Sequence, residues 1–177
     1  MIFEGLFPSI REDSVYLVDF EKYYKDGYRG IIFDVDNTLV PHGAPATEEA
    51  IAFFKQLRAI GFDTLLLSNN KEPRVKSFAD AVQSKYIFKA DKPSRKGYLK
   101  AMEKMGTQKE TTLFVGDQLF TDVWGANRTG IYSILLKPIN PKEEIQIVLK
   151  RRLEAVVLLF YKWKLKREDK KKARSQK

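Results

Sequence analysis

Cysteine is absent from the 177-residue chain. No disulfide framework and no thiolate metal centre can form, and the absence fits a reducing compartment. Histidine occurs once, at His42. With no second imidazole to share an ion, a metal role for it is disfavoured. Long apolar runs are missing as well. The longest uncharged one, AVVLLFY at 155–161, falls far short of the roughly 20 residues that cross a bilayer. The opening residues MIFEGLFPSI lack a basic segment followed by a long apolar one, so no signal peptide is expected there. These absences make a cytoplasmic location the expectation.

What is present is enough for one core. The chain is 44% hydrophobic and 12% aromatic, and its length makes a single domain the default. Its net charge of +9 is unevenly spread. Residues 142–177 hold 13 Lys/Arg against 5 Asp/Glu, whereas residues 1–141 hold 19 against 18. The body is nearly neutral, and one C-terminal segment makes the chain basic.

From residue 28 onward strands and helices alternate. GIIFDV (30–35) is an apolar run ending in turn chemistry, which reads as a buried strand. ATEEAIAFFKQLRAI (46–60) has helical spacing, with Thr47 at its start and Gly61 as its stop. FDTLLLS (62–68), YIFKA (86–90), TTLFVGD (111–117) and IYSILLK (131–137) read as further strands. Residues 72–84, 94–106 and 119–130 read as the intervening helices, and a last helix begins near Pro141. On the helix 119–130, Trp124 is assigned to the core. SVYLVDF (14–20) reads as an extra strand or as packing beside the first helix. Five strands joined by helices argue for a parallel sheet covered on both faces.

In such sheets ligands bind beyond the carboxyl ends of the strands. There the sequence places Asp34 and Asp36, then Ser68 and Asn69, then Asp91 and Lys92, then Gly116 and Asp117. Polar residues follow strands in most proteins. That alone does not account for an Asp pair, a lone Ser, a Lys and a Gly-Asp in this order. Two carboxylates two residues apart at the end of a buried strand also repel, so something must compensate them.

The four segments DVDNT (34–38), LLLSNN (65–70), DKPSRKGY (91–98) and GDQLFTD (116–122) resemble the four motifs of the haloacid dehalogenase (HAD) superfamily of phosphohydrolases. The resemblance covers about residues 28–137. FDVDNTLVPHGAP and the overall layout are similar to subfamily IIIA and its YqeG-like branch, whose relatives include phosphatidylglycerophosphatases. The resemblance implies an α/β fold, a HAD-type Rossmann-like parallel sheet of about five strands with helices on both faces. It implies a Mg²⁺-dependent phosphomonoester hydrolase working through an aspartyl-phosphate. Asp34 would be the nucleophile. Asp36 would be the general acid and base. Lys92 would supply a fixed positive charge. Ser68, Asn69 and Thr38 would serve the phosphate, with Thr38 orienting Asp36. Asp34, the backbone carbonyl of Asp36, Asp117 and Asp122 would hold the ion. His42 is expected on the active-site loop, as a packing residue or a leaving-group contact. Arg74, Arg95, Lys96 and Arg128 read as solvated helix charge.

Only 32 residues separate Asp36 from Ser68, and 24 separate Ser68 from Lys92. Helices and strands already fill both gaps, so the fold is expected to be capless and the site open. Open sites suit substrates that bring their own bulk: a protein, a nucleic-acid end, or a lipid such as phosphatidylglycerophosphate. The chain divides into a phosphatase domain over 1–141 and an amphipathic helix with a basic, disordered tail over 142–177. Three readings of that segment stay open. It lies on an anionic membrane; it packs on the sheet through Ile145, Val148, Leu149, Leu153 and Val156 with a solvated tail; or it touches nucleic acid. The alternative function is a nucleic-acid or ribosome-associated binding module with weak phosphatase activity, which the Asp36 acid/base disfavours.

Overall fold

The computed structural model describes residues 4–140 and 145–175, with side chains over 5–140 and 153–169. The elements in chain order are β1 (Ile10–Glu12), α1 (Phe20–Lys25), β2 (Gly30–Phe33), α2 (Glu48–Ile60), β3 (Asp63–Leu67) and α3 (Glu72–Val82). Then follow β4 (Lys85–Ile87), α4 (Arg95–Met105), β5 (Thr112–Gly116), a π turn (Leu119–Val123) running into α5 (Trp124–Thr129), β6 (Tyr132–Leu136) and α6 (Ile145–Ser175). All six strands are parallel, in the order β1-β6-β5-β2-β3-β4.

The pattern of the chain explains this arrangement. β2 is buried on both faces, as its unbroken GIIF run requires, and it pairs with β3 on one side and β5 on the other. α2 is capped by Thr47, whose side chain accepts from Ala50 N at 3.1 Å, and ends at Gly61, where φ is +115°. One core lies between α2, α3 and the sheet, centred on Phe33, Phe54, Leu66 and Phe78. A second lies under α4 on the other face, centred on Ile32, Tyr98 and Phe114. The winding reverses between β2 and β5, so a crevice opens beyond their carboxyl ends. No domain interrupts the two loops over the site: α2 and β3 fill the first gap, α3 and β4 the second.

Several expectations need correction. The sheet has six strands rather than about five. The sixth, β1, is an edge strand that lies before SVYLVDF. SVYLVDF is not that strand; of its two readings the second holds, since it packs beside α2, with Tyr16 and Phe20 against the Phe53 ring at 5.3 and 5.7 Å. The 86–90 strand ends at Ile87, because Lys89 and Asp91 take φ of +44° and +54°. Trp124 is 39% exposed rather than core, with the Arg128 guanidinium 5.2 Å over its ring. The basic tail is not a coil over its described residues: α6 continues to Ser175, since residues 142–177 contain no Gly or Pro and are rich in helix formers. Leu153 and Val156 are exposed, and Val157 and Tyr161 pack in their place. Pro141 and the side chains of Ile145, Val148 and Leu149 lie outside the described residues.

Candidate active site

β2 continues its ladder one residue beyond the strand, where Asp34 N donates to Val115 O at 2.9 Å. The chain then turns back on itself. Thr38 N and Leu39 N both donate to Val35 O, and Asn37 sits at φ +63°. This reversal separates the two carboxylates. Asp34 faces inward and Asp36 faces the α3 side of the cleft.

Asp34 Oδ1 accepts from Lys92 Nζ at 2.6 Å, and Asp34 Oδ2 lies 3.2 Å from Thr38 Oγ1. The Thr38 hydroxyl also lies 3.3 Å from Asp117 Oδ1. Thr38 therefore bridges Asp34 and Asp117; it does not orient Asp36, because the reversal carries Asp36 away from it. Lys92 Nζ makes a second bond, to Asp122 Oδ1 at 2.7 Å. Asp122 Oδ2 in turn accepts from Asp117 N and Gln118 N. This close return of Asp122 explains Gly116: a Cβ there would meet Asp122 Oδ2 at 2.5 Å. From behind, the buried Tyr98 hydroxyl donates toward the carbonyls of Thr121 and Asp122.

The electrostatics follow from this packing. Burial is the largest influence on Asp34; Lys92 opposes it and Asp122 adds to it, and the carboxyl is pushed up to about 6. Burial disfavours the Lys92 charge, but Asp122 and Asp34 outweigh it and hold the ammonium well above its ordinary range. Carboxylate oxygens of Asp34, Asp117 and Asp122 all lie within 4.8 Å of one another, and all three residues are buried. Three buried carboxylates with their oxygens this close form an all-oxygen donor set that fits a hard divalent cation such as Mg²⁺.

Asp36 belongs to a different network. Its Oδ1 accepts from Gly43 N at 2.8 Å and from Arg74 Nη2 at 2.9 Å, and its Oδ2 accepts from Asn70 Nδ2 at 2.8 Å. Burial pushes Asp36 up, but Gly43, Arg74 and Asn70 outweigh it, so its carboxyl sits below the usual range. Its side chain is outside the acidic trio. Arg74 is thus no solvated helix charge; its side chain is only 19% exposed. His42 stands at the rim, 67% exposed, with Nδ1 4.0 Å from Asp36 Oδ1.

Ser68 lies at the end of β3, and its Oγ accepts from Asn70 N at 3.1 Å. Asn69 grips the backbone of Lys92 at both ends: Lys92 N donates to Asn69 Oδ1 at 2.7 Å, and Asn69 Nδ2 donates to Lys92 O at 3.2 Å. One cleft is lined by Asp34, Asp36, Ser68, Asn69 and Lys92 together with His42. Gln118 and Thr121, which sequence reasoning passed over, also line it and hydrogen-bond to each other at 3.1 Å. Both stand inside GDQLFTD, so their spacing was a usable signal. Arg74 and Asn70 carried a weaker one, through their nearness to Ser68.

The buried Asp34 at a strand end, the buried Lys92 and an acidic trio thus meet at the reversal of a parallel sheet, where α/β proteins bind their ligands. Residues 43–130 match the family described as haloacid dehalogenase-like hydrolase. The chain is 36% identical over 152 residues to "Probable phosphatase YqeG" of Bacillus subtilis, covering 85% of this chain and 88% of that protein. It belongs to the haloacid dehalogenase-like hydrolases and is a phosphatase of that family. It is also 28% identical over 170 residues to "Phosphatidylglycerophosphate phosphatase 1, chloroplastic/mitochondrial" of Arabidopsis thaliana, covering 85% of this chain but 47% of that one. The chain thus spans about half the length of the plant protein. Among solved structures, a putative HAD superfamily (subfamily III A) hydrolase from Legionella pneumophila shares the fold. Its TM-score is 0.51 at 16% identity, over 65% of this chain and 69% of that one.

Proposed function

We propose that the protein hydrolyses phosphomonoesters through an aspartyl-phosphate on Asp34, with Mg²⁺ held by Asp34, Asp117 and Asp122. The observation that carries this reading is the buried Lys92 shared between Asp34 and Asp122 beside Asp117. When bound, the ion neutralises charge on the transferring phosphoryl oxygens. Everything else falls to side chains. Lys92 and Thr38 hold Asp34 in one rotamer facing the cleft. An Asp34 oxygen forms a bond to phosphorus as the bond from phosphorus to the leaving oxygen breaks, and Asp36 gives that oxygen its proton. Water then attacks the phosphorus of the aspartyl-phosphate, Asp36 takes the water's proton, and free Asp34 and inorganic phosphate result. Ser68 supplies a hydroxyl to the phosphate, and Asn69 keeps the Lys92 loop in register.

Phosphatidylglycerophosphate is the leading substrate. The name of the plant relative supports it, and so does the outer face of α6. There Leu153, Val156, Phe160 and Trp163 are all exposed, with the Arg167 guanidinium 4.3 Å over the Trp163 ring. Such a stripe suits the surface of an anionic bilayer. No described helix is long and apolar enough to cross a membrane, so α6 would lie on the surface.

The test is turnover of an aryl phosphate and of phosphatidylglycerophosphate in mixed micelles. Activity should require Mg²⁺ and disappear in Asp34→Asn, with the far-ultraviolet circular dichroism unchanged. Undiminished turnover by metal-free protein, or by Asp34→Asn, would refute the mechanism.

A further inference from the structure

Three consecutive backbone N–H groups follow β5, and a carboxylate takes each of them. Asp117 N and Gln118 N donate to Asp122 Oδ2 at 3.2 and 3.0 Å. Leu119 N donates to Glu154 Oε1 at 2.9 Å. The first two bonds are local, whereas the third comes from α6, 35 residues further along the chain. Glu154 is only 6% exposed. Carboxylates are rarely buried this deeply without a dedicated partner. Around the bond, Val157 and Tyr161 of α6 pack on Leu119, Val123, Leu135 and Phe7.

The Leu119 N–H opens the π turn that carries Asp122. Gln118, which precedes the turn, makes no side-chain cap. The turn therefore takes its cap from a distant helix. An apolar residue at 154 would preserve the packing but leave this buried N–H without an acceptor. π turns are rare and frequent at functional sites, and this one carries Asp122 back onto Lys92.

We infer that Glu154 is a positioning residue for the metal site: by capping the π turn Leu119–Val123 it fixes Asp117 and Asp122 relative to Asp34. α6 is then part of the catalytic support as well as a peripheral helix. The part of this inference that concerns Mg²⁺ rests on the proposed metal reading.

The experiment compares the full-length wild type with Glu154→Ala and Glu154→Gln. Glu154→Leu, which keeps the volume, replaces the alanine variant if that one does not fold. Amide hydrogen exchange over residues 117–123 is measured without metal, and Mg²⁺ affinity is read from the Mg²⁺ dependence of the melting temperature. Glu154→Ala should lose exchange protection over 117–123 and need about tenfold or more Mg²⁺ for the same stabilisation, as when a residue supporting a metal ligand is removed. Glu154→Gln keeps the acceptor and should stay close to the wild type in both. Retained protection in a folded alanine variant would overturn the inference. Lost protection with unchanged Mg²⁺ affinity would overturn it too, since the bond would then serve packing alone. A wild type that binds no Mg²⁺ would instead refute the metal reading, and the metal-free exchange data would still decide whether Glu154 orders the loop.

Discussion

Arg74 Nη2 lies 2.9 Å from Asp36 Oδ1, so the acid/base of the proposed reaction is ion-paired from α3. The pairing has a direction. Together with Gly43 N–H and Asn70 it overcomes burial and holds the Asp36 carboxyl below the usual range. The lowered pKa keeps Asp36 ionised, so it is free to accept a proton, but as a weaker base, and little of the acid form that a leaving group needs is present.

Removing Arg74 should relieve that bias. In Arg74→Ala the Asp36 pKa rises, so its protonated form persists to higher pH. The alkaline limb of kcat/KM, where a general acid loses its proton in the free enzyme, should move upward. The check is a pH–rate profile on an aryl phosphate for both proteins. An unmoved limb would show that Arg74 does not tune Asp36.

Lys92 offers a stability test. Its ammonium is shared between Asp34 and Asp122 at 2.6 and 2.7 Å in a buried site. Lys92→Met would leave two buried carboxylates facing each other beside Asp117. Removing one partner from a buried ion pair costs about 3–5 kcal/mol. Urea unfolding of metal-free protein should show a loss of that order, and added Mg²⁺ should recover part of it. A loss below about 1 kcal/mol would mean that water already screens the pair, as at exposed salt bridges.

How much of this site was legible follows from what sets each position. Asp34, Lys92, Asp117 and Asp122 stand at strand ends or at fixed short distances from them. Once the strands are placed, topology brings these residues together. Arg74 and Trp124 were misjudged for one reason. Helical spacing says which residues share a face, but not whether a neighbouring loop covers that face; the Asp36 loop covers Arg74, while the surface beside Trp124 stays open. β1 has three residues and no measurable period, so only its pairing with β6 reveals it. Glu154 reads as one more charge on a basic helix until packing sets it against Leu119.

The pH dependence of metal-free stability should carry the mark of Asp34. Its pKa is about 6 in the folded chain, against 3.8 for the ordinary carboxyl. Its contribution is therefore fully present below about 3.8 and is lost as pH rises through about 6. Asp34→Asn cannot lose that proton. The melting temperature of the wild type relative to Asp34→Asn, both in chelator, should fall between pH 4 and pH 7. In the wild type, stabilisation by Mg²⁺ should be larger at pH 7 than at pH 5, because the ion needs the ionised carboxylate. A difference between the two proteins that is flat with pH would contradict the buried, raised Asp34.

The last prediction separates the two faces of α6. The inner face, with Glu154, Val157 and Tyr161, supports the loop after β5. The outer face carries Leu153, Val156, Phe160 and Trp163, and residues 142–177 hold 13 Lys/Arg against 5 Asp/Glu. Deleting 162–177 removes Trp163 and most of the positive charge, together with the Lys164 ammonium that lies 5.5 Å over the Phe7 ring, but keeps Glu154, Val157 and Tyr161 of the inner face. Each basic residue near an anionic bilayer contributes about 1 kcal/mol, and salt screens the effect. The full chain should therefore sediment with anionic vesicles at low salt and come off at high salt. The truncated chain should bind less and turn over a vesicle-borne lipid phosphate more slowly. Its hydrolysis of a soluble aryl phosphate should stay close to the wild type, because the Leu119–Glu154 bond survives the cut. Equal vesicle binding by both chains would discard the membrane reading, and tight RNA binding lost with the same deletion would turn the outer face toward nucleic acid.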